Sequence, residues 1–328
     1  MLPEPAHPRR PLGRIQMRET LSVAICVIVS LILFMIGTRY VTDIWLFAAF
    51  HNLQLHLALA CAAALLFALV LKRGLVSVGL LCVSLLLAGH ALVMSRQFAA
   101  APTEADSDAP SFRLLSFNIL RENYANGDVI TQLILNSGAE VVNIMEAQPL
   151  RGHLEELSKV YPYRLGCGAE TEGCDLMILS RQPLRSTVIR SLSDLFAERF
   201  MMAEVTLAGR TIHVGAIHTT KPYFDEFHTM ELVRAALAIT DTEGPLVLSG
   251  DFNAASIAPD MRMFLRWTGL TTAEHEPATW PVRLGSLGLP IDHVYVRPPL
   301  KIKSLTRLPD PLGSNHFGLV AEIVITGN

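Results

Sequence analysis

Polar and ionisable residues recur where apolar, strand-favouring runs stop. Leu248-Ser249-Gly250-Asp251-Phe252-Asn253 sets an aspartate and an amide two apart at the end of one such run. Alternation along a strand can point both into one cleft. Asn118 closes Leu114-Leu115-Ser116-Phe117, Glu146 closes Val141–Met145, and His218 ends the run before it. Asp292 opens a late strand, and Ser314-Asn315-His316 precedes the last one. Each alone has a structural use: an Asx turn for Asp251 and Asn253, a strand-end cap for Asn118, a solvated acid for Glu146, a satisfied core histidine for His218. Gathered at one sheet rim, they offer a hard-oxygen ligand for Mg²⁺, donors for phosphoryl oxygens and a base for water. Metal-assisted phosphate chemistry needs that set.

The elements that must position these residues follow from hydrophobic patterning. Strands are expected over 112–119, 140–145, 176–179, 246–248, 291–296 and 319–325, with a hairpin of 200–207 and 211–217 around Ala208-Gly209. Helical spacing covers 128–135, about 150–160, 224–240 and 257–267. Interleaved helices and strands with hairpins predict an α/β domain with a mixed sheet.

The first hundred residues differ in kind. Hydrophobic residues make up 51% of the chain and mean hydropathy is +0.37. The excess lies in three nearly uncharged stretches, about 21–37, 53–71 and 75–94, each long enough to cross a hydrocarbon core as a helix. The polar start of the second makes 45–52 interfacial. Arg9, Arg10, Arg14 and Arg18 precede the first stretch, and Lys72-Arg73 separate the second from the third. By the positive-inside rule the N-terminus stays cytoplasmic, and everything after Arg96 lies outside. The expected organisation is a membrane anchor over 1–97, a flexible Ala/Pro/Asp/Ser linker over 98–110 and a catalytic domain over 111–328, in the inner (plasma) membrane with that domain periplasmic or extracellular.

Cysteine and charge usage bear on the same division. Cys26, Cys61 and Cys82 fall in the apolar stretches, whereas Cys167 and Cys174 share one polar loop. In an exported domain that pair is expected to form a disulfide. Residues 1–103 carry 8 Lys+Arg and 3 Asp+Glu, and the remainder carries 19 and 27, a net of −8. Such an acidic domain is a poor non-specific binder of nucleic acid, which counts against a nuclease.

Ser116-Phe117-Asn118, Met145-Glu146, Ala216-Ile217-His218, Gly250-Asp251-Phe252-Asn253, Ile291-Asp292-His293 and Ser314-Asn315-His316 occur in the order of the endonuclease/exonuclease/phosphatase superfamily, which includes deoxyribonuclease I-like enzymes and neutral sphingomyelinases. The chain resembles that superfamily over about 111–326. A Thr279-Trp280-Pro281 like this one also precedes the Ile-Asp-His motif in bacterial membrane-tethered members. The resemblance implies a four-layered α/β sandwich, two packed mixed sheets with outer helices, here preceded by three transmembrane helices. It implies Glu146 as principal Mg²⁺ ligand (Mn²⁺ being the alternative), with Asn118 supporting the metal or the phosphate. His218 then donates to a phosphoryl oxygen, Asp251 aligns or deprotonates water, Asn253 stabilises developing charge, and Asp292 orients His316 at the scissile phosphate. The superfamily usually has Ser-Asp-His where this chain has Ser-Asn-His. Asn315 can ligate through its carbonyl oxygen but brings no charge. Trp280 and Lys221 are the expected substrate contacts.

The resulting expectation is a membrane-anchored, Mg²⁺-dependent phosphoesterase of phosphodiesterase type, acting outside the cytoplasm on a phosphate ester of phospholipid-like chemistry. Its alternatives are an extracytoplasmic nuclease and a catalytically degenerate, membrane-anchored scaffold.

Overall fold

The computed structural model describes residues 13–327, so Arg9 and Arg10 of the orientation argument lie outside the described residues. These residues form two compact units: one from the residues through Thr42 with Leu53–Val93, the other from Asp43–Asn52 with everything from Met94 on.

The first unit is built on α1 (Arg14–Gly37); α2 (Ala48–Asn52) belongs to the second unit, and α3 (Gln54–Leu71) and α4 (Leu75–Ser95) return to the first. Segments Gln16–Tyr40, Gln54–Leu71 and Leu75–Ser95 are long and apolar enough to cross a membrane. Their outer surface is apolar, with Val27, Phe34, Leu66, Val70, Leu86 and Val93 exposed. Lipid tails suit such a surface and water does not. Polar pairs sit at both ends of the bundle. Lys72 meets Glu19 at 3.2 Å at one end, while Arg39 donates to Gln54 at 2.5 Å and Tyr40 contacts His90 at 2.7 Å at the other.

The second unit holds two sheets. Its strands are β1 (Ser111–Asn118), β2 (Val141–Met145), β3 (Tyr163–Gly166), β4 (Leu176–Ser180), β5 (Arg185–Arg190), β6 (Phe200–Leu207), β7 (Arg210–His218), β8 (Leu246–Asp251), β9 (Asp292–Arg297), β10 (Leu300–Arg307) and β11 (Leu319–Ile325). One sheet runs β10-β11-β1-β2-β4-β3 and the other β5-β6-β7-β8-β9. Each has one parallel pair, β1 with β2 and β7 with β8, among antiparallel neighbours. Successive residues on β1 face opposite sides. Leu114 joins a core shared with Val214, Ala216 and Val294 of the other sheet, whereas Leu115 joins a core with Ile130, Ile134 and Leu157. Ile130 and Ile134 belong to α5 (Gly127–Asn136), and Leu157 to α6 (Leu154–Ser158). On the outer face of the second sheet, Leu232 and Ile239 of α7 (Phe227–Thr240) and Phe264 of α8 (Pro259–Thr268) pack against Ile217 and Leu248. Helix, sheet, sheet, helix gives the expected four layers.

Three differences from expectation have physical causes. The helix expected over about 150–160 begins as a 3₁₀ turn, Gln148–His153, before α6. Strands β3, β5 and β10 are unforeseen, and all three are sheet edges with mixed or exposed burial. An edge strand has fewer neighbours to cover it, so it carries a weaker apolar pattern. The stretch 98–110, expected to be a flexible tether, is docked. Ala100 N–H donates to Thr272 at 3.0 Å, Thr103 and Asp106 form a capping box, and Lys301 meets Asp106 at 2.9 Å. Asp106 titrates at about 2, held down by the Thr103 amide and by Lys301.

Candidate active site

The two parallel pairs carry the site. Parallel pairing puts Asn118 level with Met145 in one sheet and His218 level with Asp251 in the other, while antiparallel β9 sets Asp292 beside Asp251. Gly250 has a φ of +154°, and a Cβ there would lie 1.8 Å from the Ile217 carbonyl oxygen. Only glycine lets β8 approach β7 this closely just before Asp251. Between the sheets, buried Asn143 of β2 donates to Gly215 O at 2.9 Å and to Ser249 Oγ at 2.8 Å. This polar bridge ties β2 to β7 and β8 beneath the site. Glu146 and Asn253 have φ of 56° and 51°, a left-handed conformation that costs non-glycine residues and is held by their surroundings.

Asp251 is the centre of the network. Asn118 Nδ2 donates to its Oδ2 at 2.9 Å and to Glu146 Oε1 at 3.2 Å, so one amide joins both carboxylates. Asp251 Oδ1 accepts the Asn253 N–H at 2.8 Å, and Asn253 Nδ2 donates to Thr219 O at 2.9 Å. His218 Nε2 and His316 Nε2 each stand 3.8 Å from Asp251 Oδ2. Each ring has a carboxylate on its other nitrogen: Asp175 at 2.7 Å for His218, Asp292 at 2.8 Å for His316. A carboxylate on Nδ1 sets the ring orientation and leaves Nε2 for the site.

The two arms differ electrostatically. Burial disfavours a charged His316, but Asp292 and Asp251 outweigh it and push its pKa up to about 9. Burial also raises the Asp175 carboxyl, yet His218 and Arg199 outweigh that and leave it well below the usual range. Arg199 Nε meets Asp175 at 2.9 Å and Arg121 meets it at 3.1 Å. At the other arm, Asp292 Oδ1 is buried without a hydrogen-bond partner. Ligand atoms of Asp251, Asp292 and His316 lie within 4.8 Å of one another. An orphaned buried carboxylate oxygen beside a second carboxylate and an imidazole is a donor set that a divalent cation can use.

Of the expected residues, Asn118, Glu146, His218, Asp251, Asn253, Asp292 and His316 therefore stand together. Asn315 is exposed, and its backbone carbonyl accepts the Val282 N–H at 3.4 Å. Lys221 is exposed on the segment after His218, and Trp280 is half-buried, its backbone paired with Leu289. The neighbour of Trp280 matters more. Buried Thr279 accepts the Asp292 N–H on its hydroxyl at 3.2 Å and the Phe317 N–H on its carbonyl at 3.0 Å, so one residue spaces Asp292 against His316. Cys167 and Cys174 are disulfide-bonded, and the second directly precedes Asp175. Asp175, Arg199 and Asn143 are the residues that motif reading missed, and Thr279 was read only as part of Thr279-Trp280-Pro281, without a role. An acid at the start of the buried run Leu176–Ser180 was the one available signal for Asp175.

A family model described as the Endonuclease/Exonuclease/phosphatase family matches residues 115–316. No curated protein sequence matches the chain. Among solved structures, an endonuclease/exonuclease/phosphatase family protein from Bacteroides thetaiotaomicron is 15% identical with a TM-score of 0.57, covering 67% of this chain and 96% of that one. A mannosyl-6-phosphatase from the same organism is 14% identical with a TM-score of 0.55, covering 65% and 100%. Sphingomyelinase C from Streptomyces griseocarneus is 16% identical with a TM-score of 0.50, covering 65% and 99%.

Proposed function

The chain belongs to the endonuclease/exonuclease/phosphatase family, and we propose that it is a membrane-anchored, Mg²⁺-dependent phosphodiesterase whose active site faces away from the cytoplasm. The observation that carries this is the convergence of two imidazole–carboxylate arms on Asp251, each 3.8 Å away, beside the Asn118-bridged Glu146. Glu146, Asn118 and the unpaired Oδ1 of Asp292 would hold the cation. When bound it neutralises charge on a phosphoryl oxygen.

The chain's own groups do the rest. Asp251 orients a water for in-line attack on phosphorus and takes its proton. His316, charged at neutral pH with its raised pKa, donates to a phosphoryl oxygen, and Asp292 keeps its ring in place. His218 donates from the other arm, and Asn253 stabilises charge as it develops. Positioning and preorganised charge supply most of the rate in such displacements.

The orientation rests on the Arg and Lys residues flanking the apolar helices. An anchor near the bilayer raises the effective concentration of lipid headgroups, so a phospholipid-like ester is the proposed substrate. The test is hydrolysis by the full-length protein in detergent of a phosphodiester, phosphomonoester, phospholipid and DNA panel, with Mg²⁺ or EDTA. Mg²⁺-dependent phospholipid hydrolysis supports the reading. DNA cleavage alone makes the protein a nuclease, and hydrolysis of nothing makes it a scaffold. A C-terminal periplasmic reporter should be active; a cytoplasmic result reverses the topology.

A further inference from the structure

Two buried histidines that the proposed chemistry does not use bracket Asn253. His228, on α7, has one ring nitrogen 2.7 Å from Asp260 and the other 2.8 Å from the carbonyl oxygen of Phe252. His293, on β9, has one 2.6 Å from Glu276 and the other 2.8 Å from the carbonyl oxygen of Ala254. Both rings are fully buried. The carbonyls they engage belong to the residues immediately before and after Asn253.

Each ring faces an acceptor at both nitrogens, and only a doubly protonated imidazole donates at both. Charge-assisted donors are short and strong, and a peptide carbonyl held by one loses its freedom to rotate. The pKa direction of His228 agrees. Burial lowers its imidazole and Asp260 more than offsets it, so it is raised. The acids of both rings are anchored in turn: Asp260 accepts the Met261 N–H at 2.8 Å, and Glu276 accepts from Ser256, whose hydroxyl also meets Tyr295 at 2.7 Å. The 254–255 peptide is held from its other side too, Ala255 N–H donating to Asn52 Oδ1 at 2.6 Å.

Asn253 needs this support. Its φ of 51° is costly for a side chain, and its own hydrogen bonds are those to Asp251 Oδ1 and Thr219 O. A left-handed residue persists only where its neighbours over-determine it.

We infer that His228 and His293 are positioning residues, a pair of buried imidazole clamps that hold the 252–253 and 254–255 peptides flanking Asn253 and so aim its amide at the developing charge. This rests on the role proposed above for Asn253. The two clamps come from different elements, so α7 and β9 must both be packed before the loop is set.

The experiment uses the full-length protein in detergent, with bis(4-nitrophenyl) phosphate and Mg²⁺ as the kinetic probe and amide hydrogen exchange over 251–256 as a substrate-independent one. The variants are His228→Phe with Asp260→Asn and His293→Phe with Glu276→Gln, each leaving no lone buried charge. In each, kcat falls about 10²-fold with KM changed less than about threefold, and exchange over 251–256 speeds up at least about tenfold while far-UV circular dichroism holds. His293→Gln, whose amide can still donate to Ala254 O, recovers most of the loss. In an Asn253→Ala background the same changes cost no further kcat, because they act through that side chain. Additive losses in that background, or unchanged exchange, overturn the clamp. If Asn253→Ala itself leaves kcat intact, the role of Asn253 fails instead, and exchange alone decides whether the loop is clamped.

Discussion

His218 and His316 stand at the same 3.8 Å from Asp251, each with an aspartate on Nδ1, but their aspartates are compensated differently. Asp175 also receives Arg199 and Arg121, so its charge is spent on fixing one ring. Asp292 has no guanidinium among the ion pairs of the described residues, and its second oxygen is buried and unpaired. The same ring–acid geometry thus serves two ends. The Asp175 arm is a saturated scaffold for His218, whereas the Asp292 arm keeps unspent negative charge beside Asp251. That excess outweighs burial and raises the His316 pKa to about 9, and it supports the cation proposed on that side.

The contrast can be broken by substitution. Asp292→Asn, which removes the uncompensated charge beside Asp251, and His316→Ala, which removes the donor itself, should each lower kcat about 10³-fold. Steady-state phosphodiester kinetics check this. Asp175→Asn should cost less, about tenfold to 10²-fold, since its amide can still accept from the ring and from Arg199. Equal losses at the two arms would erase the distinction.

pH sharpens it further. A group whose pKa is raised on folding stabilises fully below its ordinary value and loses that contribution as pH rises through the folded value. For His316 the window runs from 6.5 to about 9. In EDTA, thermal stability should therefore decline across that window, and His316→Gln should flatten that part of the decline. The smallest effect on turnover is expected at the disulfide. Converting Cys167 and Cys174 to serine should cost about 2 kcal/mol of stability, the loop closure being short, with kcat changed less than about tenfold. A loss as large as that of Asp175→Asn would mean that the crosslink also aims Asp175, its direct neighbour.

These two arms also differ in how far they could be read beforehand. Asp292 and His316 sit in consecutive motifs of the superfamily the chain resembles, and that resemblance implied their pairing. Asp175 follows a cysteine in a polar loop and meets His218 only because β4 and β7 lie in different, packed sheets. Arg199 lies just before the hairpin expected over 200–217 and belongs to no motif. The core strands were legible because burial on both faces leaves continuous apolar runs, and edge strands β3, β5 and β10 were not. The docking of 98–110 was hidden for a related reason: its Ala, Pro and Asp residues describe a loop equally well whether bound or free, and Lys301 decides which.

Residue order alone determined the apolar helices, an α/β class with a mixed sheet and the seven polar groups at strand ends, because hydrophobic period and local turn chemistry are properties of neighbouring residues. The four layers were implied by the superfamily resemblance. Tertiary structure alone decided which carboxylate holds His218, that Asn143 bolts the sheets together, that Thr279 spaces Asp292 from His316, and that two buried imidazoles grip the peptides around Asn253. Each of those is a hydrogen bond between elements far apart in the chain, and packing the sheets and helices together is what brings such partners within reach.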